Sequence, residues 1–205
     1  METSMADAAG RLTQTTRTQT RPLASLAKVR TRLEEKGFLP SVAGSEEFER
    51  VCEAVKAAHD ADRGLLLIGK CGRGKTHLMK ALFALNYGRG ARWLYVKDGR
   101  HLNWMKDAPG FFMDKNVYLD DIGAECDMRE YGSTIDVVGD FIQKYHVDGT
   151  GRLFATTNLF PKELNERYGM RTLSRLTEMC VLFEMSGADK REKIVFAAKA
   201  KGGAQ

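Results

Sequence analysis

Residues Gly69-Lys70-Cys71-Gly72-Arg73-Gly74-Lys75-Thr76 fill the pattern G-x-x-x-x-G-K-[ST] and follow directly on the apolar run Leu65-Leu66-Leu67-Ile68. Few short patterns restrict a fold so tightly, because this one requires a strand before it and a helix after it. The glycines let the backbone curl until successive N–H groups point inward and surround an anion. Lys75 is placed to reach β- and γ-phosphates, and the Thr76 hydroxyl to ligate Mg²⁺. The helix that opens at His77 adds its positive dipole end to the same place. Residues Gly69 to His77 therefore read as the phosphate cradle of a nucleoside triphosphate site.

At 205 residues the chain is long enough for one α/β domain and an appendage. Its 43% hydrophobic and 29% charged content is that of an ordinary soluble protein. No apolar run approaches the ~20 residues that cross a bilayer, and the N-terminus lacks the apolar core of a signal peptide. Cys52, Cys71, Cys126 and Cys180 show no C-x-x-C spacing, so neither a zinc site nor a disulfide framework is expected. Free thiols fit a reducing compartment, and the expectation is a cytoplasmic protein without a membrane partner. Cys71 lies inside the loop, where alkylation would block nucleotide, and its presence reads as incidental rather than as redox regulation.

Charge is uneven. Residues 1–33 hold six basic and two acidic side chains, +4 of the chain's net +5. The Thr/Gln/Arg-rich stretch 13–20 is too polar to order itself. Such an arm either touches nucleic acid or an acidic partner, or only solubilises the chain. We divide the sequence into a basic, largely disordered arm at 1–36, ending in a short amphipathic helix, and one domain at 37–200.

Leu26, Val29 and Leu33 recur at helical spacing before Gly37 and Pro40, and Phe48, Val51, Val55 and Ala58 do so after Ser45-Glu46-Glu47. Strands are expected at Leu65–Ile68, Trp93–Val96, Val117–Leu119, Leu153–Thr156 and Val181–Phe183. Helices are expected at His77–Tyr87, broken by Gly88-Arg89-Gly90, and from Ser133 to Tyr145, with Ile135, Val138, Ile142 and Tyr145 on one face. Alternating strands and helices imply an α/β fold, a five-stranded parallel sheet with helices on both faces.

Three further stretches carry chemistry. Val117-Tyr118-Leu119-Asp120-Asp121 has the form of a Walker B strand, 45 residues after Lys75. Asp120 would hold Mg²⁺ through water, and Asp121 would orient or deprotonate the attacking water. A solvated turn is the bland alternative. Asn158 ends the strand Phe154-Ala155-Thr156-Thr157, where ligands of open α/β sheets sit, and is placed to bond a γ-phosphate or the hydrolytic water, if it does not merely cap a loop. Arg171 and Arg175 are one helical turn apart and would share a face, from which they reach a neighbouring subunit's phosphates or only solvate the surface.

Gly74-Lys75-Thr76-His77-Leu78, Asp120-Asp121-Ile122-Gly123, Thr156-Thr157-Asn158-Leu159 and Tyr168-Gly-x-Arg-x-x-Ser-Arg-Leu176 occur in the order seen in the DnaC/DnaI/IstB-like AAA+ ATPases, which include replicative helicase loaders and transposition helpers. The resemblance covers roughly residues 38–185. It implies an AAA+ type P-loop NTPase, with Asn158 as sensor 1, Arg175 as the arginine finger and Arg171 as a second trans-acting or structural arginine. The N-terminal segment is too short for a folded helicase-binding domain, and the Leu26/Val29/Leu33 helix either docks a partner or packs on its own domain. A helical lid with a second sensor arginine is not evident after the fifth strand. In the initiator-type clade the stretch corresponding to Asp98–Phe112 carries an extra helix that contributes to single-strand DNA contacts. Here the stretch is brief, but Arg100, His101, Asn103, Trp104 and Lys106 are residues that track a backbone and stack bases, Trp104 being equally suited to a core.

The resulting expectation is an ATP- and Mg²⁺-dependent ATPase that forms a homo-oligomer on single-stranded DNA when ATP is bound and loads a replicative helicase. A transposition helper acting on a transposase, a nucleotide-switched adaptor with negligible hydrolysis, and a monomeric P-loop kinase are the alternatives.

Overall fold

A computed structural model describes residues 25–86, 90–125, 128–130 and 133–186. The arm up to residue 24, Gly88-Arg89, Cys126 and the stretch where a lid would lie, after residue 186, fall outside the described residues. The strands are β1 (Gly64–Ile68), β2 (Arg92–Tyr95), β3 (Val117–Ile122), β4 (Met128–Glu130), β5 (Ser133–Ile135), β6 (Leu153–Thr157) and β7 (Cys180–Glu184). The helices are α1 (Leu26–Glu35), α2 (Pro40–Ala43), α3 (Ser45–Asp60), α4 (Lys75–Asn86), α5 (Gly99–Asp107), α6 (Val137–Asp148) and α7 (Pro161–Met179).

Five strands form one parallel sheet in the order β2-β3-β6-β1-β7. Every residue of β1 is buried, because the sheet is covered on both faces. Leu66 and Ile68 point into a core shared with α5, α6 and α7, while Leu65 and Leu67 point into a second core shared with α1, α3 and α4. The parallel pairing places the C-terminal ends of all five strands on one rim, where loops are free to carry function.

Across three strands Trp93, Tyr118 and Phe154 form a ladder of rings in register. Trp93 and Tyr118 stack at 6.2 Å and 5°, Tyr118 and Phe154 at 4.4 Å and 4°. Phe83 of α4 stands edge-on to Trp93 and Tyr118. Such pairs add roughly 0.5–1.5 kcal/mol each beyond the area they bury.

Helix α1 begins at Ser25, whose hydroxyl accepts the Lys28 N–H, and buries Val29 and Leu33 against α3 and α4. Each such burial is worth about 2 kcal/mol. The apolar face that could have docked a partner is covered by the chain's own domain.

The helix expected from Ser133 starts later. Ser133–Ile135 is strand β5, paired antiparallel with β4 in a small separate hairpin, and α6 opens only at Val137. The reason is local: the Asp136 carboxylate accepts the Gly139 N–H at 2.9 Å and caps the helix there. Between β2 and β3 the stretch read as brief does hold a helix, α5, capped by Asp98 through the Arg100 N–H, and then a 3-10 turn at Pro109–Phe112. Helix α7 is two segments joined at Gly169, whose φ of 79° and ψ of 160° are not helical.

Cys52 and Cys180 are buried, and burial pushes both thiols up to about 12, so they stay protonated and inert. No helix among the described residues is long and apolar enough to cross a membrane.

Candidate functional site

The loop between β1 and α4 curls through three residues of positive φ, Gly69 (148°), Gly72 (80°) and Gly74 (93°). Leu78 N–H then donates to the Gly74 carbonyl, so α4 rises directly out of the loop. Lys75 is 7% exposed and folds back over the loop it belongs to. Its ammonium donates to the Gly69 carbonyl at 2.5 Å, the Lys70 carbonyl at 3.0 Å and Asn158 Oδ1 at 2.7 Å. The lysine is thus held by carbonyls of its own loop and by Asn158. Cys71 lies exposed on the rim, its thiol 3.7 Å from Asn158 Oδ1. His77, one turn into α4, meets the Gly37 carbonyl through Nε2 at 2.8 Å and lies beside the Phe38 ring. Since a carbonyl only accepts, Nε2 carries the proton.

Beside the cradle, the end of β3 delivers two carboxylates into different surroundings. Asp120 is 3% exposed, and its Oδ1 accepts from the Thr76 hydroxyl at 3.1 Å and the Thr156 hydroxyl at 2.7 Å. Asp121 has a φ of 69°, a left-handed conformation rare outside glycine and asparagine, and the register between β3 and β6 slips at this point. The bulge turns the Asp121 side chain away from Asp120 and toward the rim. Its N–H donates to the Thr156 hydroxyl at 2.7 Å, and its Oδ1 accepts from Asn158 Nδ2 at 2.8 Å. Strain of this kind clusters at functional sites.

Lys75, Asn158 and Asp121 thus form a continuous chain of hydrogen bonds, and a residue not anticipated from sequence extends it. Lys97 Nζ lies 2.6 Å from Asp121 Oδ2. The hydrogen bond to Asp121, together with its charge, holds the Lys97 ammonium above the usual lysine range. Thr156 was likewise not singled out, although its hydroxyl ties the two aspartates together. Thr157, fully buried, donates to the Ile122 carbonyl and accepts the Leu159 N–H, which fixes the loop that carries Asn158.

The structure does not bring Arg171 and Arg175 to this cluster. Arg175 lies in the last turns of α7, whose end is anchored by Arg63 to the carbonyls of Thr177 and Cys180. Cys180 pairs with Gly64 at the start of β1, and the cradle follows its end. The two arginines also differ in setting. Arg171 is exposed, whereas Arg175 is half-buried and donates to His146 Nδ1, whose Nε2–H meets Glu178 at 2.7 Å. Hydrogen bonds from His146 and Ser174 hold the Glu178 carboxyl below its usual range.

On α5, Arg100 pairs with Asp98 of its own cap, and His101 Nδ1 accepts the Tyr95 N–H. Asn103 is exposed, and Lys106 is half-buried. Trp104 is 38% exposed, one face packed on Phe111 and Phe112, so it is both core edge and surface.

The sequence matches no family model and no curated protein sequence. Its likeness to known proteins lies in structure. AMPPCP-bound DnaA from Aquifex aeolicus superposes with a TM-score of 0.50 at 18% identity, covering 76% of this chain and 52% of DnaA. A DNA replication initiation factor superposes at 0.55 and 20% identity, covering 83% and 54%. The DnaC helicase loader superposes at 0.46 and 19% identity, covering 68% and 90%. The chain spans about half the length of DnaA and of the initiation factor. With its parallel sheet, its cradle after the first strand and these structural relatives, the chain has the fold of the AAA+ P-loop ATPases.

Proposed function

We propose that the chain binds ATP with Mg²⁺, hydrolyses it, and uses the cycle to time assembly on single-stranded DNA during replication, where it loads a helicase. One observation carries the reading: Lys75, Thr76, Asp120, Asp121 and Asn158, drawn from three separate stretches, meet in one hydrogen-bonded network at the ends of β1, β3 and β6. The residues fit the ligands. Lys75 can exchange carbonyl partners for phosphate oxygens, and the Thr76 hydroxyl and Asp120 carboxylate, 3.1 Å apart, are the hard oxygen donors that Mg²⁺ takes alongside phosphate and water. Mg²⁺, when bound, neutralises charge developing on the phosphates. Release of Lys75 from Asn158 would leave that amide free to orient water beside Asp121. That the structurally similar DnaA was seen with AMPPCP bound supports a nucleotide ligand. We read the ATPase domain as residues 37–200, with α1 packed on it, and the exposed Asn103 and Trp104 as surface that DNA bases can meet.

The test is ATP turnover by the full chain with Mg²⁺, with and without single-stranded DNA, alongside light scattering with a non-hydrolysable analogue. The expected result is hydrolysis stimulated by DNA and a rise in mass on nucleotide binding. No turnover in any condition would leave a nucleotide-switched adaptor. A specific feature favours keeping that second reading: Lys97 already neutralises Asp121.

That ion pair makes its own prediction. Lys97 is partly exposed, so the pair is worth only about 1 kcal/mol. Lys97→Met should free Asp121 and raise turnover without DNA roughly fivefold. Unchanged basal turnover would show that Lys97 does not restrain the site.

A further inference from the structure

Beyond Asp121 the chain enters a tight turn whose far end is tied, through one buried carboxylate, to α7. The Ala124 N–H donates to the Asp121 carbonyl at 3.2 Å and closes the turn. Gly123 inside it has a φ of 88°, and a Cβ there would stand 2.3 Å from Leu159 Cδ1, so this turn is built for glycine. The Glu125 side chain is 5% exposed and reaches back to accept the Gly123 N–H at 2.8 Å with Oε2. Its other oxygen accepts the Tyr168 hydroxyl and faces Arg167 Nη2 at 3.4 Å. Tyr168 is itself buried, and the next residue is Gly169, the one non-helical joint of α7. Nothing lies within 4 Å of a Cβ added at Gly169, so that joint owes its bend to backbone conformation and not to crowding. Past it, the second segment of α7 carries Arg175.

A buried carboxylate with three donors on two elements is more than the fold requires, since α7 is already held by Leu164, Tyr168 and Leu176 in the core. It also stands at a particular place, between the backbone of Asp121 and the joint before Arg175. We propose that Glu125 and Tyr168 form a link that carries the state of a subunit's own nucleotide site to the arginine it presents to its neighbour, with Tyr168 as a positioning residue. This inference rests on the ATPase reading and on Arg175 acting in trans. When Asn158 and Asp121 rearrange around nucleotide, the turn 121–125 moves with them, because the Ala124–Asp121 and Gly123–Glu125 hydrogen bonds tie it together. Glu125 passes that displacement to Tyr168, and Gly169 lets the segment with Arg175 swing while the first segment of α7 stays packed. Adjacent sites in an assembly then respond to each other.

The test is the ATP-concentration dependence of hydrolysis by the assembled full chain, compared with its Tyr168→Phe variant, which keeps the ring and removes the hydroxyl. The wild type is expected to show a Hill coefficient above one, about 2. Tyr168→Phe is expected to fall to about 1 while nucleotide affinity and melting temperature stay near wild type, a change that loss of mere packing would not produce. Glu125→Gln, which has one acceptor oxygen for the three donors, should shift the Hill coefficient the same way if the tyrosine variant folds poorly. A wild-type Hill coefficient in both variants overturns the link, as does a wild type that hydrolyses ATP without cooperativity. A wild type that does not hydrolyse ATP at all removes the ATPase reading instead, and the link with it.

Discussion

Asp121→Asn is expected to bind ATP nearly as well as the wild type and to lose about 10²–10⁴ in turnover, the range general-base groups contribute. Asparagine is the informative replacement because residue 121 has a φ of 69°. Asn enters that region with little cost, whereas alanine there would add roughly 1–2 kcal/mol of strain and blur the result. The amide also tests the local network. Asp121 accepts from Asn158 on one oxygen and from Lys97 on the other. An asparagine has one oxygen and one NH₂, so it must lose one partner and turn a donor toward it. Lys75, Thr76 and Asp120 are untouched, and nucleotide affinity measured by fluorescence titration should barely move. Wild-type turnover in this variant would remove Asp121 from its role.

Arg175→Ala is expected to keep nucleotide binding and to lose roughly 10³–10⁵ in turnover of the assembled form, the value of an arginine supplied across an interface. The topology sets Arg175 apart from its own cradle. Arg175 sits by the end of α7 that leads to Cys180, paired with the first residue of β1, and the cradle follows the last. The five residues of β1 span about 17 Å at ~3.3 Å each. The decisive measurement mixes two inactive variants, Arg175→Ala and Lys75→Ala. If the arginine acts in trans, mixed assemblies recover activity at interfaces that combine an intact cradle with an intact arginine. No recovery on mixing, in assemblies shown to contain both, would place Arg175 outside catalysis. Stability should change by less than about 1 kcal/mol, since the His146 and Glu178 partners are partly exposed.

Much of this arrangement is visible in the sequence because it is local. Gly69–Thr76 must be a loop between strand and helix, and Asp120-Asp121 follow directly on the three apolar strand positions Val117–Leu119. Lys97 escaped notice because Lys97-Asp98-Gly99 looks like any polar turn. Only the pairing of Tyr95 with Asp120, a contact between distant stretches, brings it beside Asp121. Glu125 was missed for the same reason, its meaning being set by Tyr168, 43 residues on. The misplaced start of α6 is different in kind. The helical spacing of Val138, Ile142 and Tyr145 extends backward to Ile135 by coincidence, and the overriding signal, Asp136 capping at Gly139, was present in the sequence. The setting of Arg175 on His146 could not be read at all, since it depends on how α6 and α7 pack.

The ladder of rings across β2, β3 and β6 has a practical consequence. The chain has two tryptophans, and they report from opposite circumstances. Trp93 is fixed parallel to Tyr118 within the ladder, an arrangement that gives strong near-ultraviolet dichroism and efficient phenol-to-indole energy transfer for as long as the sheet is intact. Trp104 is half in solvent on α5, so its emission responds to whatever covers that helix. One unlabelled sample thus carries an optical gauge of its core and another of its surface, separable by a single Trp104→Phe exchange.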